Sequence, residues 1–195
     1  MKTALFSVFN KTDAFADFAK ALKDRDWDIW ASAGTTKFLE ERGVGTADVA
    51  SLVGEPILGH RVVTLSREIY AGLLSRPEDH HELEKLGLRR IDLLFCDLYP
   101  LKEEMAREGA TEESILEKID IGGPTLLRAA AKTRRIVLSK TSQFAQAIQF
   151  IDAEESMAED ARHRYLTGLA AEAETVVVEY CTLSADFNRK LSVGK

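Results

Sequence analysis

Two stretches near the amino terminus carry residue types suited to a phosphate. Ser7 and Lys11 follow an apolar segment, Thr3 to Phe9, and Ser32-Ala33-Gly34-Thr35-Thr36 follows a second, Asp28 to Ala31. A small-residue turn entering a helix exposes backbone N–H groups at the positive end of the helix dipole, which favours a phosphate. Lys11 would neutralise its charge, and the Ser7, Ser32 and Thr35 hydroxyls would donate to it. The same residues also fit ordinary helix caps beside a solvated lysine.

A second constellation is Asp120-Ile121-Gly122-Gly123-Pro124, which opens a segment running through Thr125 and Arg128 to Lys132. Proline suits a first helical turn, and the glycine pair before it permits close backbone approach. Helical spacing places Thr125, Arg128 and Lys132 on one face. Cations four residues apart repel by about 0.2 to 0.5 kcal/mol and so invite an anion. Asp120 is near enough to be that partner or to cap the helix, and the cations equally fit a solvated face. Asp97 and Tyr99-Pro100 close another apolar run, either lining a crevice at a strand's carboxyl end or finishing the strand with a packed ring. His60-Arg61 through Arg67 places two arginines and a histidine in an irregular stretch that a plain surface loop explains as well. His80-His81 lies among carboxylates without a second ligand cluster, so no metal site is expected. The run Lys132-Thr133-Arg134-Arg135 reads as the end of a helix complementing its dipole.

These groups need a frame, and the first half of the chain supplies one by alternating strand and helix patterns, which implies parallel strands between helices. Thr3 to Phe9 is a buried strand. Asp13 to Lys23 is a helix with Phe15, Phe18, Ala19 and Leu22 on one side and Thr12 or Asp13 as its cap. Asp28 to Ala31 is a strand, and Lys37 to Glu40 belongs to a helix that Gly43 can end. Ile91 to Cys96 and Arg135 to Leu138 are further strands. Ser142 to Ile151 and Glu159 to nearly the end are helical. The stretch from Ala47 to Ser75, punctuated by glycine and proline, is read as functional or ligand-ordered.

The 195 residues, 45% apolar, predict a single domain burying roughly 70% of its unfolded surface. The two cysteines are then plain thiols in a reducing compartment. The first residues are too short an apolar run for a signal peptide, and no later run reaches the ~20 apolar residues of a membrane span. With 26 basic against 32 acidic residues, the net charge of -6 argues against nucleic-acid binding. A cytoplasmic protein with a small-molecule ligand is expected.

Five motifs occur in an order that resembles IMP cyclohydrolase, the amino-terminal domain of the bifunctional purine-synthesis protein. They are Ser7 to Thr12, Ala31 to Thr35, Gly59 to Leu65, Cys96 to Pro100, and Ile119 to Lys132. The resemblance runs from Met1 to about Asn188. It implies a three-layer α/β domain with a parallel sheet, methylglyoxal-synthase-like, with extra carboxyl-terminal helices, spanning 1–195 without the transformylase half. It further implies closure of the purine ring of 5-formamidoimidazole-4-carboxamide ribotide to IMP and water, with no cofactor or metal. The partners implied are that ribotide, a second copy in a homodimer and a separate transformylase, with neither nucleic acid nor membrane. Carried over by position, Ser7, Lys11, Ser32, Gly34 and Thr35 would hold the phosphate, and Arg61, Thr64 and Asp97 the rest of the ligand. Asp120, Lys132 and Tyr99 would do the acid-base work, helped by N–H groups at Ile121, Gly122 and Gly123.

The departures from the family pattern cluster. Val63 stands where the family carries a catalytic lysine, Tyr70 replaces a histidine, Asp97 an asparagine, and Ala33 a glycine of the phosphate loop. Valine can neither donate a proton nor stabilise an anion. Arg67, four residues on, is expected to return a cation to the pocket, acting on an oxyanion without shuttling protons. Three readings remain: a stand-alone cyclohydrolase, a relative acting on a different heterocyclic ribotide, and an inactive purine-nucleotide-binding module.

Overall fold

The computed structural model describes residues 1–59 and 61–193. His60, singled out above, lies outside them. The chain enters as strand β1 (Thr3–Val8), helix α1 (Asp13–Lys23), β2 (Asp28–Ala31), α2 (Ala33–Glu40), β3 (Ala47–Asp48), a short α3 (Ala50–Val53) and α4 (Arg67–Leu74). There follow α5 (His80–Lys85), β4 (Leu93–Asp97), α6 (Leu101–Ala106), α7 (Glu112–Leu116), α8 (Gly122–Lys132), β5 (Ile136–Leu138), α9 (Phe144–Ala153) and α10 (Glu159–Ser192). The sheet is parallel throughout, in the order β3-β2-β1-β4-β5.

Covered on both faces, the central strands read as unbroken apolar runs. Leu5, Phe6, Leu93, Leu94, Phe95 and Val137 are fully buried. Helices α1 and α9 cover one face through a cluster of rings: Phe18 stacks on Phe144 at 4.2 Å, and Phe95 meets Phe144 edge-on at 4.8 Å. The other face is covered by α8 with α4 beside it, and α10 lies over α8. Ala129, Ala130 and Ala131 are buried around α8, which packs against the sheet, α4 and α10. Thr12 caps α1 by accepting the Phe15 N–H at 3.2 Å, as expected. The fifth strand, β3, escaped the sequence reading because two residues carry no alternation; it is held at the edge by pairing Trp30 with Ala47 and Ala31 with Asp48.

The chain steps from β1 outward to β2 and β3, then crosses to β4 and β5 on the other side. That reversal opens a crevice beyond the carboxyl ends of β1 and β4, the usual ligand position in an open parallel sheet. Val8 and Asp97, the last residues of the two strands, face one another in register. Among the described residues no helix is long and apolar enough to cross a membrane.

The 34-residue α10 spans about 50 Å and does more than cover α8. Leu166, Leu169, Ala170, Ala173 and Val177 join the main core, and farther along Tyr180 and Phe187 form a second cluster with Leu101 and Ile115. The Asp120 N–H donates to the Tyr180 hydroxyl at 2.7 Å, and that hydroxyl donates to the Lys118 carbonyl at 3.1 Å. Burial pushes this phenol up to about 12, so it keeps its proton and can serve both groups. Tyr180→Phe should cost about 1 to 3 kcal/mol, the usual penalty for stranding buried polar groups. Urea unfolding of the two proteins measures it, and equal stability would mean that the phenol does not hold this loop.

Candidate active site

The crevice has two chemically distinct ends. At the first, the chain leaving β1 turns so that the Lys11 ammonium donates to the carbonyls of Val8 (2.8 Å) and Phe9 (3.4 Å). Opposite it, α2 begins at Ala33, with Ser32 as a cap that makes no side-chain capping bond. The N–H groups of Thr35 and Thr36 bond to the Ser32 carbonyl, leaving those of Ala33 and Gly34 at the positive end of the helix. A Cβ built on Gly34 would lie 4.0 Å from the Lys11 ammonium. A cation and free N–H groups thus share one small volume. Thr35 is fully buried, and its hydroxyl meets the Ser32 hydroxyl at 3.1 Å and the Val8 backbone at 3.4 Å. It therefore fastens the α2 turn to β1. Ser7 is half-buried on β1, beside Cys96 on β4.

Asp97 likewise makes hydrogen bonds within the protein. Its two carboxylate oxygens accept the N–H groups of Phe9 (2.5 Å) and Asn10 (2.9 Å), so it orders the Lys11 loop. Burial raises its carboxyl above the usual range, while those two N–H groups and Lys11 pull the other way.

At the second end stands Asp120, just before α8. The Gly123 N–H donates to Asp120 Oδ1 at 3.0 Å. Burial nevertheless lifts this carboxyl above its ordinary value, against the pull of the Gly123 and Gly122 N–H groups. Of the three N–H groups expected to await an oxyanion, those of Gly122 and Gly123 therefore already face the Asp120 carboxyl. The fit is tight: a Cβ on Gly123 would stand 2.3 Å from Asp120 Oδ2 and 2.6 Å from the Leu98 side chain, which only glycine avoids. Thr64 is buried beside the same turn, its hydroxyl 3.2 Å from where a Gly122 Cβ would lie. Ile121 is 60% exposed at the rim. Tyr99 packs edge-on against Phe9 at 4.6 Å, and the Lys118 ammonium lies 4.8 Å over its ring.

Three expected residues stand apart. Lys132 ends α8, about 15 Å from Gly122 by the helical rise, and lines a different cavity; the shared helix face does not bring it to Asp120. Arg67 opens α4 and is exposed to solvent. Arg61 is exposed and paired with Glu117 at 2.8 Å, tying the 57–62 loop to the segment before Asp120. Val63 packs against the core.

Two residues were missed at the chemical end. Lys118, two positions before Asp120, was visible as a charge near a motif. Tyr70, noted only as a family departure, buries a hydroxyl without a hydrogen-bond partner. Burial raises that phenol, and Thr125, Cys96 and Asp120 are the groups around it; Thr125 directs its own proton to the Ile121 carbonyl at 2.7 Å. Among the described residues no three His, Cys, Asp or Glu side chains gather as a metal site.

Residues 14–125 match the family described as the MGS-like domain. The bifunctional purine biosynthesis protein PurH of Lactobacillus acidophilus is 43% identical over 147 residues, 73% of this chain and 28% of that protein. PurH of Aquifex aeolicus is 41% identical over 133 residues, 66% of this chain and 26% of that protein. The chain thus spans under a third of the length of these relatives. The crystal structure of ForH matches with a TM-score of 0.76 at 26% identity, covering 94% of this chain and 96% of ForH.

The raised carboxyl of Asp120 has a consequence for stability. It binds its proton more tightly folded than unfolded, so the stability present below the unfolded value of about 4 is lost as the pH rises through the folded one. Asp120→Asn keeps an acceptor for Gly123 and removes that loss. It should be at least as stable as the wild type at pH 7 and converge with it near pH 3. Thermal unfolding at both values checks this, and a variant less stable at pH 7 than at pH 3, relative to wild type, would show that the N–H groups outweigh burial.

Proposed function

The chain belongs to the MGS-like domain family, and on that premise we propose that it closes the purine ring of 5-formamidoimidazole-4-carboxamide ribotide, giving IMP and water. The reading is carried by one juxtaposition: the half-buried, raised carboxyl at the start of α8 packs at the same turn as Leu98, and the preceding Asp97 orders the loop that carries Lys11 to the Gly34 phosphate cradle. The similarity to PurH proteins supplies the reaction class.

Ring closure forms a bond from the carboxamide nitrogen to the formyl carbon, and the formyl oxygen departs as water. The carboxamide nitrogen loses one proton as it attacks, the formamido nitrogen gives up a second as its double bond to the former formyl carbon forms, and the oxygen takes both to leave as water. Asp120 suits these transfers, because a carboxyl raised above its ordinary value holds a proton more readily than an ordinary aspartate. The cradle fixes the ribotide by its phosphate, so that the flexible formyl group need only rotate onto the amide. Tyr99 and Lys118 border the place where the oxygen's charge develops, and Lys118 takes over the cation that Val63 cannot supply. That assignment replaces Arg67: both cations are exposed, but the Lys118 ammonium stands over the Tyr99 ring two residues before Asp120, whereas Arg67 opens α4. Catalysis is assigned without Lys132.

Closure should proceed without added metal. Asp120→Asn should lower kcat by about 10²- to 10⁴-fold while remaining folded, the usual worth of a positioned acid or base. Lys118→Met should lower kcat at least about tenfold, and Arg67→Ala should leave it within about threefold. Normal turnover in Asp120→Asn would remove the assignment. Calorimetry should also show IMP binding at least about tenfold more tightly than inosine; equal affinities would remove the phosphate cradle.

A different heterocyclic ribotide is the second reading. Its support is that Val63 packs as an apolar residue where the family carries a lysine, and that Tyr70, where the family carries a histidine, buries a hydroxyl without a hydrogen-bond partner. An assay in which the formamido-imidazole is inert while IMP still binds would favour it.

A further inference from the structure

A cavity of about 660 Å³ lies at the opposite end of α8, where that helix, the end of α4 and the start of α10 meet. It is lined by Arg76, Arg90, Lys132, Arg134, Arg135 and Arg162, with His163, against the single carboxylate of Glu159. In a chain of net charge -6, six cations around one opening call for a cause.

Complementing two helix ends explains part of it. Arg135 is buried and donates to the carbonyls of Gly72, Leu73 and Ser75 at the end of α4, and Arg134 donates to Ala131 at the end of α8. Ion pairs explain more: Arg76 meets Glu78 and Asp79, Arg90 meets Asp92, and Arg162 meets Glu154 and Glu159. Among the described residues Lys132, Arg134 and Arg135 still have no carboxylate within ion-pair reach. The Arg90 Nε is buried without an aligned hydrogen bond although Asp92 is 2.9 Å away. Burial and the neighbouring Arg90 push Arg135 down to about 10, so its charge is held unfavourably.

Arg134 carries a further sign. Its φ is 54°, the left-handed conformation that ends many helices and that glycine takes freely. An arginine there is strained, and such outliers gather at ligand sites. Arg76, Arg134 and Arg162 converge from three elements, and planar guanidinium groups bind phosphate oxygens in pairs. The volume lies in the range of a nucleotide-sized ligand.

We infer that this cavity is a second anion site, separate from the crevice, which takes the di- or triphosphate group of a small molecule. The site does not depend on the cyclohydrolase reading, since the two lie at opposite ends of the sheet.

The test titrates inorganic triphosphate, ATP and GTP into the whole protein by calorimetry at low salt, with IMP present in excess. One equivalent should bind to the wild type and to Lys11→Ala. Arg134→Ala and Arg162→Ala, both folded by circular dichroism, should bind roughly ten- to a hundredfold more weakly, the worth of hydrogen bonds to a charged group. Tighter binding of a nucleotide than of triphosphate would assign the base to the same cavity, and equal binding would confine recognition to the phosphates. The inference is overturned if nothing binds, if both arginine variants bind as the wild type does, or if Lys11→Ala alone abolishes binding.

Discussion

At the start of α8 two opposed influences act on one carboxyl. The Gly123 N–H and the positive end of the helix favour the ionised Asp120, while burial favours the neutral acid, and burial prevails. A carboxyl so balanced can both take and give a proton, which an exposed aspartate near pH 7 does poorly. The balance requires the turn to close tightly, and the closeness of Asp120 and Leu98 to Gly123 is what a side chain there would break. The rest of the crevice follows from keeping that turn in place.

Its support comes from far along the chain. Tyr180 pins the backbone on both sides of Ile119 from α10, so the carboxyl-terminal helix acts as a brace for the chemistry as well as a cover for the sheet. At the other end, Asp97 and Thr35 are spent on organisation. The first orders the Lys11 loop and the second stitches α2 to β1. In the sequence both read as ligand groups because they are polar, lie in motifs and sit at strand ends; in the fold each also makes hydrogen bonds within the protein.

Local pattern made much of this legible. The buried strands were apparent as apolar runs, α1 from its spacing and Thr12 cap, and the convergence of two small-residue loops from the rule that parallel strands direct their carboxyl ends to one crevice. What stayed hidden was non-local. Tyr180 lies 60 residues from the backbone it holds, and no spacing rule connects them. Lys132 shares a helix face with Thr125, but that spacing says nothing of the ten-residue rise that separates it from Gly122. The two-residue β3 has too little pattern to be read, and Tyr70 shows its buried hydroxyl only once α4 is packed.

The most direct test of this account is a carbon NMR titration of the Asp120 side-chain carboxyl, with Asp120→Asn used to assign the signal. The midpoint should lie above the ordinary aspartate value of about 4. It should also fall toward that value in Gly123→Ala, where the turn must open and water reaches the carboxyl. A midpoint at or below the ordinary value in the wild type would contradict this account, because the helix start would then outweigh burial and leave Asp120 a fixed anion.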